Sequence, residues 1–333
     1  MSNPDPHIRP VDLRTDLPAL ADLIELVFAP TMDEGGRAAI REMRYMSRLG
    51  AGLTLLGRLN EMMSGIKMGY VWVEEGRLIG NVSIYPAHLP GGERDTWIIA
   101  NVGVHPDYQR RGIARRLMQT SLDMLQRRGA RAAILQVDYH NDAAIHLYEQ
   151  LGFVRERAFR QWQRSSTAPT PRSTDSSVFI TRRRPSEWAA ELALAQQVRP
   201  NPQGGIGWLK PTVPALFRKT WRDSLINLTK MTSTERLIVR SEDERAILAS
   251  LWLETQLGMF STRLTLMYLP GMVHLANALL TSAVRRLRGT ALSMEHPFDD
   301  EEASALLRQL HFSPERAVWH MRLDLRRTCA PHS

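Results

Sequence analysis

Hydrophobic residues in the first half of the chain follow two alternating periods, one helical and one extended. The helical period predicts helices over about 17–27, 37–49, 113–128 and 142–151. Short runs rich in Val, Ile and Trp predict strands over about 7–11, 69–73, 78–85, 97–104, 132–137 and 153–162. The predicted order is therefore β, α, α, β, β, β, α, β, α, β.

The second half of the chain repeats this order. Counterparts of the first-half elements follow one another at 178–181, 186–198, 237–239, 247–253, 264–268, 273–287 and 291–294. The segment Leu310-His311-Phe312 lines up with Leu151-Gly152-Phe153. Repetition of a whole element order predicts two copies of one fold.

A segment between the two copies has the composition of a linker. Residues 164–177 read RSSTAPTPRSTDSS, in which Ser, Thr and Pro dominate and no apolar period is visible. We therefore predict domains at 1–164 and 178–327, a linker at 165–177 and a tail at 328–333.

The composition is that of a globular protein, with 43% hydrophobic and 23% charged residues. The lone cysteine, Cys329, excludes a disulfide within the chain and a cysteine-rich zinc site, and no metal is expected. The N-terminal residues lack the apolar stretch of a secretory signal, so we expect a cytoplasmic protein. The longest apolar stretch, 264–283, is interrupted by Pro270 and Gly271, which favours a buried strand-turn-helix over a membrane span.

The formal net charge of +8 is compatible with nucleic acid or with an anionic cofactor. Most arginines are scattered and do not interleave with aromatic residues, which favours a solvated basic surface over a nucleic-acid groove. One arginine cluster, at 110–116, is different because it surrounds a glycine at a predicted strand-to-helix junction.

This junction has the features of a phosphate site. A predicted strand ends at Val104, a polar loop follows, and a helix begins at Gly112. The first turn of a helix presents unpaired N–H groups at the positive end of its dipole. Gly112 leaves room for a phosphate against the backbone. The spacing fits neither the P-loop nor the three-glycine dinucleotide motif.

Two blocks of sequence carry a resemblance to a known family. The pattern Gln-x-x-Gly-x-Ala at 109–114, after Val-x-Val-His-Pro, resembles motif A of the GNAT acetyltransferase superfamily. The block Asn-x-x-Ala-x-x-Leu-Tyr-x-x-x-Gly-Phe at 141–153 is similar to a second motif of that family. The resemblance covers about 7–163, and 101–153 looks especially like bacterial ribosomal-protein N-terminal acetyltransferases.

The resemblance implies an α/β (α+β) fold of two GNAT-like domains. Each would be a mixed, mostly antiparallel twisted sheet flanked by helices, splayed at its central parallel strands. It also implies an N-acetyltransferase that uses acetyl-CoA and acetylates a primary amine of a small molecule or a protein. The residues implied to bind acetyl-CoA are Val102, Gly103, Val104, Gln109, Arg110, Arg111, Gly112, Ile113, Ala114, Arg115, Asn141 and Tyr148.

The resemblance also assigns roles within this set. Val102 and Val104 would hold the acetyl and pantetheine arm through backbone groups, and a backbone N–H of this strand would stabilise the oxyanion. Residues 109–115 would hold the pyrophosphate and Asn141 the pantetheine. Tyr148 would be the general acid that protonates the departing CoA thiolate.

The general base is where the sequence departs from the family. Some members have a glutamate at the position of Ile98, and ribosomal-type members have one at the position of Gln136. Neither residue present here can accept a proton. The remaining candidates are Asp138, at a predicted strand end, and a water molecule that Asn101 could hold.

The second copy lacks the chemistry of the first. Leu307 stands where Tyr148 stands, Asp300 stands where Asn141 stands, and the loop at 269–274 has no Gln-x-x-Gly-x-Ala. We expect a degenerate copy that packs against the first and walls the acceptor cleft. Two alternatives stay open: a non-catalytic acyl-CoA sensor, favoured by the missing base, and a nucleic-acid-binding protein, favoured by the net charge.

Overall fold

The computed structural model describes residues 5–29, 32, 34–48, 68–91, 95–171, 177–218, 232–256 and 261–326. Residues 172–176 of the predicted linker, the predicted tail at 328–333 and Cys329 lie outside these ranges. Among the described residues, no helix is both long and apolar enough to cross a membrane.

The elements of the first half agree closely with the periods read from the sequence. They are β1 (Ile8–Pro10), α1 (Leu17–Phe28), α2 (Glu34–Arg48), β2 (Met68–Glu74), β3 (Arg77–Pro86), β4 (Thr96–Val104), α3 (Ile113–Arg127), β5 (Ala132–Asp138), α4 (Asp142–Gln150) and β6 (Val154–Arg164). The helix α3 buries Ile113, Leu117 and Leu125 at the helical interval and turns its arginines outward.

The second half repeats the order with shorter opening elements. They are β7 (Thr181–Arg182), α5 (Trp188–Val198), α6 (Pro214–Phe217), β8 (Thr232–Arg240), β9 (Ile247–Gln256), β10 (Ser261–Tyr268), α7 (Val273–Arg286), β11 (Ala291–Pro297), α8 (Glu301–Gln309) and β12 (Ser313–Asp324). The strand predicted at 178–181 begins only at Thr181, because Val178 and Ile180 pack on the core of the second copy instead of pairing.

The strands of the described residues form one twelve-stranded sheet, in the order β1-β2-β3-β4-β5-β12-β6-β11-β10-β9-β8-β7. The neighbours β4 and β5, and likewise β10 and β11, are parallel, and the other pairs are antiparallel. The mixed, mostly antiparallel sheet expected from the sequence is confirmed.

The two copies exchange their last strands. The strand β12 lies between β5 and β6, so that the second half completes the sheet of the first. In turn, β6 pairs with β11 of the second half. The sheet therefore runs without interruption across the predicted domain boundary.

The strands β4 and β5 separate shortly after they begin. Their parallel pairing extends only from Thr96 opposite Ala132 to Ile98 opposite Ile134. Further along, β4 has one extra residue relative to β3, a β-bulge at which Asn101 adopts a left-handed φ of 51°. A gap therefore opens in the sheet beside the second part of β4.

The two faces of the sheet are covered differently beside this gap. The helices α3 and α4 pack on one face, where Ala133, Leu135 and Val137 of β5 join their core. The other face of β4 carries α1, since the position of a Cβ on Gly103 lies 3.3 Å from the Phe28 ring. The alternate residues of β5, Ile134 and Gln136, consequently face away from α3 and α4.

Candidate functional site

The loop between β4 and α3 forms an open cradle. A short 3₁₀ turn at Pro106–Tyr108 leads to Gln109, whose Nε2 donates to the carbonyl oxygen of Val104 at 3.3 Å. This hydrogen bond ties the loop back to the end of β4. Gly112 has a φ of 78°, and a Cβ added there would meet no atom within 4 Å. The backbone conformation therefore favours glycine, and the space beside it is free for a ligand.

The first turn of α3 faces this space without a side-chain cap. Gly112 is the N-cap residue, and its carbonyl accepts the first helical hydrogen bond, from the Arg116 N–H at 3.1 Å. The preceding N–H groups of the turn have no acceptor within the helix. Together with the helix dipole they make a site for an anion such as a phosphate.

The arginines around the cradle have different surroundings. Arg111 Nη1 lies 3.5 Å from Glu74 Oε1, and its guanidinium lies over the Tyr108 ring. Arg115 Nη2 donates to Gln150 Oε1, which brings a cation to the junction of α3 and α4. Arg110 is exposed on the loop. All three add positive charge near the cradle.

Tyr148 is buried within α4, where 6% of its surface is exposed and its ring lies 6.0 Å from the ring of Phe153. Burial raises the pKa of the phenol well above its ordinary value. Tyr148 therefore carries its proton throughout the neutral range. Among the described residues, no hydrogen bond engages its hydroxyl.

Asn141 and Asp138 both have structural partners at the beginning of α4. Asn141 is the N-cap residue, and its Oδ1 accepts the Ala144 N–H at 3.1 Å. Asp138 Oδ1 accepts the His140 N–H at 3.0 Å and closes the turn after β5. The cap engages only the Asn141 oxygen, so a role of its amide N–H groups toward pantetheine stays a prediction, as does a role of Asp138 as a base.

A polar network surrounds the bulge in β4. Asn81 Nδ2 donates to the carbonyl of Asn101 at 3.0 Å, and Asn101 Nδ2 donates to the Tyr85 hydroxyl at 3.2 Å. Burial raises the pKa of Tyr85, which keeps its hydroxyl protonated. Because the C=O and N–H of a trans peptide point in opposite directions, Asn81 directs the Val102 N–H away from β3. This places a backbone donor at the gap between β4 and β5.

Gln136 contacts the second half of the chain. Its Nε2 lies 2.9 Å from His320 Nε2, on the exchanged strand β12. The same ring nitrogen lies 3.2 Å from Glu295 Oε1 of β11. Sequence reasoning assigned no role to His320 or Glu295, because the alternation of β12 does not reveal which strand it pairs with.

A cleft of about 850 Å³ begins beside these residues. The first half contributes Ile134 and residues 89–91 to its lining, while the second half contributes His320 and much of the segment 201–215. It lies on the face of the sheet opposite α3, since Ile134 faces away from that helix. The loop between β4 and α3 and Tyr148 are not part of its lining.

In the second copy, a polar network lies where β10 and β11 separate, beside a cavity of about 510 Å³. Tyr268 donates to Asp300 Oδ1 at 2.7 Å, and His296 Nε2 lies 2.9 Å from Asp300 Oδ2. Arg199 Nη2 donates to the Leu266 carbonyl at 3.0 Å. Burial lowers the pKa of His296 to about 4 and that of Arg199 to about 9. Among the described residues, no cluster of three or more His, Cys, Asp or Glu side chains is arranged to hold a metal ion.

Comparisons with known proteins agree on one family. The family model described as Acetyltransferase (GNAT) family matches residues 51–153. N-alpha-acetyltransferase 30 of Schizosaccharomyces pombe is 33% identical over 103 residues, which cover 31% of this chain and 68% of that protein. The [Ribosomal protein bS18]-alanine N-acetyltransferase of Escherichia coli is 46% identical over 59 residues, which cover 18% of this chain and 40% of that protein.

A solved structure resembles the whole chain. The crystal structure of a GCN5-related N-acetyltransferase from Sphaerobacter thermophilus matches with a TM-score of 0.56 and covers 97% of each chain. Only 13% of the residues are identical, so this likeness concerns the fold. The chain therefore resembles acetyltransferases in sequence over residues 51–153 and resembles one of them in overall architecture.

Proposed function

The chain belongs to the GNAT family of N-acetyltransferases, and on this premise we propose that its first half transfers the acetyl group of acetyl-CoA to a primary amine, with Tyr148 as general acid. The observation that carries the proposal is the pairing of an open anion cradle at Gly112 with a buried, protonated phenol on the next helix. The acceptor is an amine of a small molecule or of a protein.

The cradle fits a pyrophosphate on its own chemistry. The N–H groups of the first turn of α3 have no acceptor within the helix, and the space beside Gly112 is free of other atoms within 4 Å of a Cβ position. Arg110, Arg111 and Arg115 complement the negative charge. On this assignment Val102, Gly103 and Val104 hold the pantetheine arm through backbone groups that the divergence of β4 from β5 leaves unpaired. Gln109 holds the loop in shape.

Two groups of the chain act on the thioester in this proposal. The Val102 N–H, directed to the gap by the Asn81–Asn101 hydrogen bond, stabilises the negative charge that develops on the carbonyl oxygen. Tyr148 gives its proton to the thiolate as the carbon–sulfur bond breaks. Acetyl-CoA supplies the activated acyl group, and the chain supplies orientation and protons.

The second half takes no cofactor in this proposal. Leu307 replaces the phenol, and Arg199 and His296 occupy the region where β10 and β11 separate. The second half instead contributes β12 to the sheet and the segment 201–215 to the cleft. The non-catalytic alternative, an acyl-CoA sensor, shares the cradle but predicts no turnover.

The test is turnover by the full chain across a defined amine panel. The panel contains a tetrapeptide with a free N-terminal alanine, an N-blocked peptide with one lysine, and a short aliphatic diamine. The alanine peptide is included because two relatives are named for N-terminal acetylation. Release of free CoA thiol with formation of an acetylated panel member supports the proposal, whereas acetyl-CoA binding with no transfer to any member supports the sensor.

A further inference from the structure

Acetyl transfer to an amine requires a proton acceptor, and the first copy does not provide one at the usual positions. A primary amine is mostly protonated at neutral pH, with a pKa of about 10 for a lysine side chain. It must lose a proton before or during attack on the thioester. Ile98 and Gln136 cannot accept that proton.

The exchanged strand β12 brings the imidazole of His320 next to Gln136. His320 of β12 stands opposite Gln136 of β5 in the antiparallel register, and the two Nε2 atoms lie 2.9 Å apart. Gln136 occupies the position at which ribosomal-type members of the family have a glutamate. A residue able to accept a proton therefore lies in direct contact with the position of the missing base.

The register of the sheet places His320 near the gap between β4 and β5. Ile98 and Ile134 are the last pair before β4 and β5 separate, so Ala100 and Gln136 each follow this point by two residues. The bulge at Asn101 follows directly, and its peptide presents the Val102 N–H at the gap. His320, beside Gln136, and the Val102 N–H, the proposed oxyanion donor, therefore both follow the point at which β4 and β5 separate.

The imidazole ring is held by contacts from the second half and from β6. It stacks on Phe159 at a centroid distance of 4.4 Å and an interplanar angle of 18°. Glu295 Oε1 lies 3.2 Å from Nε2. Burial opposes ionisation of Glu295, but its contacts with His320 and with the Trp208 N–H lower its pKa below the ordinary value. A carboxylate therefore faces Nε2.

The backbone at Gly207 and Trp208 packs closely against the Glu295 carboxylate and holds it in place. Its Oε2 accepts the Trp208 N–H at 3.1 Å, and a Cβ on Gly207 would come within 2.7 Å of the same oxygen. Glycine at 207 thus allows the segment 201–215 to pack directly on the carboxylate. In other enzymes, a carboxylate next to an imidazole orients a histidine base in the same way.

In the tautomer with its proton on Nε2, the nitrogen nearest the Glu295 carboxylate, the lone pair of the ring lies on Nδ1. This tautomer requires the Gln136 amide to present its oxygen, in place of its Nε2, to the ring. Nδ1 faces the wall of the cleft, since a Cβ on Gly204 would lie 3.6 Å from it and Gly204 lines the cleft. The cleft, at about 850 Å³, has the size of a small-ligand site.

We propose that His320, contributed by the second half, is the general base for acetyl transfer in the first half, with Glu295 as the residue that positions its ring. This inference rests on the acetyltransferase reaction proposed above. The amine first loses its extra proton to solvent, its neutral nitrogen attacks the thioester carbon, and one N–H proton then passes to His320 Nδ1. The carbon–sulfur bond breaks, and the thiolate takes the Tyr148 proton. His320 then loses a proton to solvent, and Tyr148 regains one, which leaves an amide and a free thiol.

The test measures steady-state transfer to the amine panel by the full chain. His320→Gln keeps a polar side chain of similar length but cannot accept a proton. We expect its kcat to fall by roughly 10²–10³, with the acetyl-CoA dissociation constant within twofold of wild type, because the cradle is untouched. The matched control is His274→Gln on the exposed face of α7, which should leave kcat unchanged.

A rescue separates a catalytic from a structural role of His320. In the His320→Gln background, Gln136→Glu places a carboxylate at the neighbouring position and should raise kcat at least about tenfold. A purely structural role would leave kcat low in the double variant. If His320→Gln does not fold by circular dichroism, Glu295→Gln replaces it and should lower kcat at least about tenfold.

The outcomes distinguish this inference from the proposed function. If the wild-type chain acetylates no member of the panel, the proposed function fails, and the base assignment fails with it. If the wild-type chain acetylates a member and His320→Gln keeps its kcat within threefold, the base assignment is overturned while the acetyltransferase activity stands. An unchanged kcat for Glu295→Gln overturns the positioning role in the same way.

Discussion

The guanidinium of Arg199 donates a hydrogen bond to the carbonyl of Leu266, two residues beyond the last pairing of β10 with β11 at Leu264. In the first copy, the equivalent stretch of β4 borders the open gap. Strand separation would leave the Leu266 carbonyl available to a ligand, but in the second copy Arg199 donates a hydrogen bond to it. The two copies share a fold, but in the second copy Arg199 bonds the strand where it separates from its neighbour.

The polar network around His296 in the second copy should make the stability of the protein sensitive to acid. Burial lowers the pKa of His296 to about 4, below its ordinary value of about 6.5, so the folded chain prefers the neutral imidazole. The unfolded chain takes up a proton first as the pH falls from 6.5 toward 4, and stability is lost in that window. We expect a loss of about 2 kcal/mol between pH 7 and pH 5 from this residue.

The free energy of unfolding from urea titrations at the two pH values measures this loss. In His296→Gln, the side chain does not titrate, and the difference between pH 7 and pH 5 should shrink correspondingly. An equal pH dependence in the variant and the wild type would show that His296 is not the group responsible.

Gly112→Glu should abolish acetyl-CoA binding. The added carboxylate would enter the cradle and repel the pyrophosphate. The chain offers a matched control, since Gly271 lies in the corresponding loop of the second copy and has the same φ of 78° and the same open surroundings. Gly271→Glu carries equal backbone strain and should bind acetyl-CoA as the wild type does, measured by calorimetry. Retained binding in Gly112→Glu would place the phosphate site elsewhere.

Binding of acetyl-CoA should weaken as salt increases. The cofactor is a polyanion, and Arg110 and Arg111 are exposed beside the cradle, where ions of the solvent screen their charge. We expect the dissociation constant at 0.5 M salt to exceed that at 0.05 M severalfold. A dissociation constant independent of salt would mean that the arginines contribute little to binding.

The first half produced alone should associate with itself or lose stability. Without β12, the residues 132–138 of β5 have no partner on one side, and Val318 to Asp324 no longer cover that edge. We expect residues 1–164 to elute as oligomers in size-exclusion chromatography. In the full chain, β12 already pairs with this edge of β5, so that association is not needed to cover it. Addition of residues 311–326 after residue 164 should reduce the oligomers. A stable monomer of 1–164 would show that β6 can take the place of β12.

The sequence predicted the first copy well because its helices are amphipathic and its motifs are local. The helix expected at 113–128 is Ile113–Arg127, and Gly112 begins it as the motif implied. The strand exchange could not be predicted, because the alternation of apolar residues along β6 and β12 does not specify which strand each one pairs with. His320 therefore went unassigned.

Part of the missing information was nevertheless present in the repeat. The offset that relates Asn141 to Asp300 also relates Tyr148 to Leu307 and Gln136 to Glu295. A comparison of the copies position by position would have shown a carboxylate at the equivalent of Gln136. Its contact with His320 depends on tertiary pairing, which no local pattern contains.

Removal of the Tyr148 hydroxyl tests the general acid directly. Tyr148→Phe keeps the ring against Phe153, so packing should change little. If the hydroxyl protonates the thiolate, kcat should fall by roughly 10²–10⁴ with acetyl-CoA affinity nearly intact, because the proton is needed only in the transition state. The loss should shrink with an acyl donor whose thiol is much more acidic, since that thiolate leaves without a proton.

The control for Tyr148 lies at the equivalent position of the second copy, where Leu307 is fully buried. Leu307→Ala should destabilise the protein by about 2–5 kcal/mol and leave kcat of the folded fraction unchanged. A loss of stability at Leu307 without a loss of rate, together with the opposite result at Tyr148, would separate packing from chemistry. An unchanged kcat in Tyr148→Phe would mean that the phenol is structural and that the thiolate takes its proton from water.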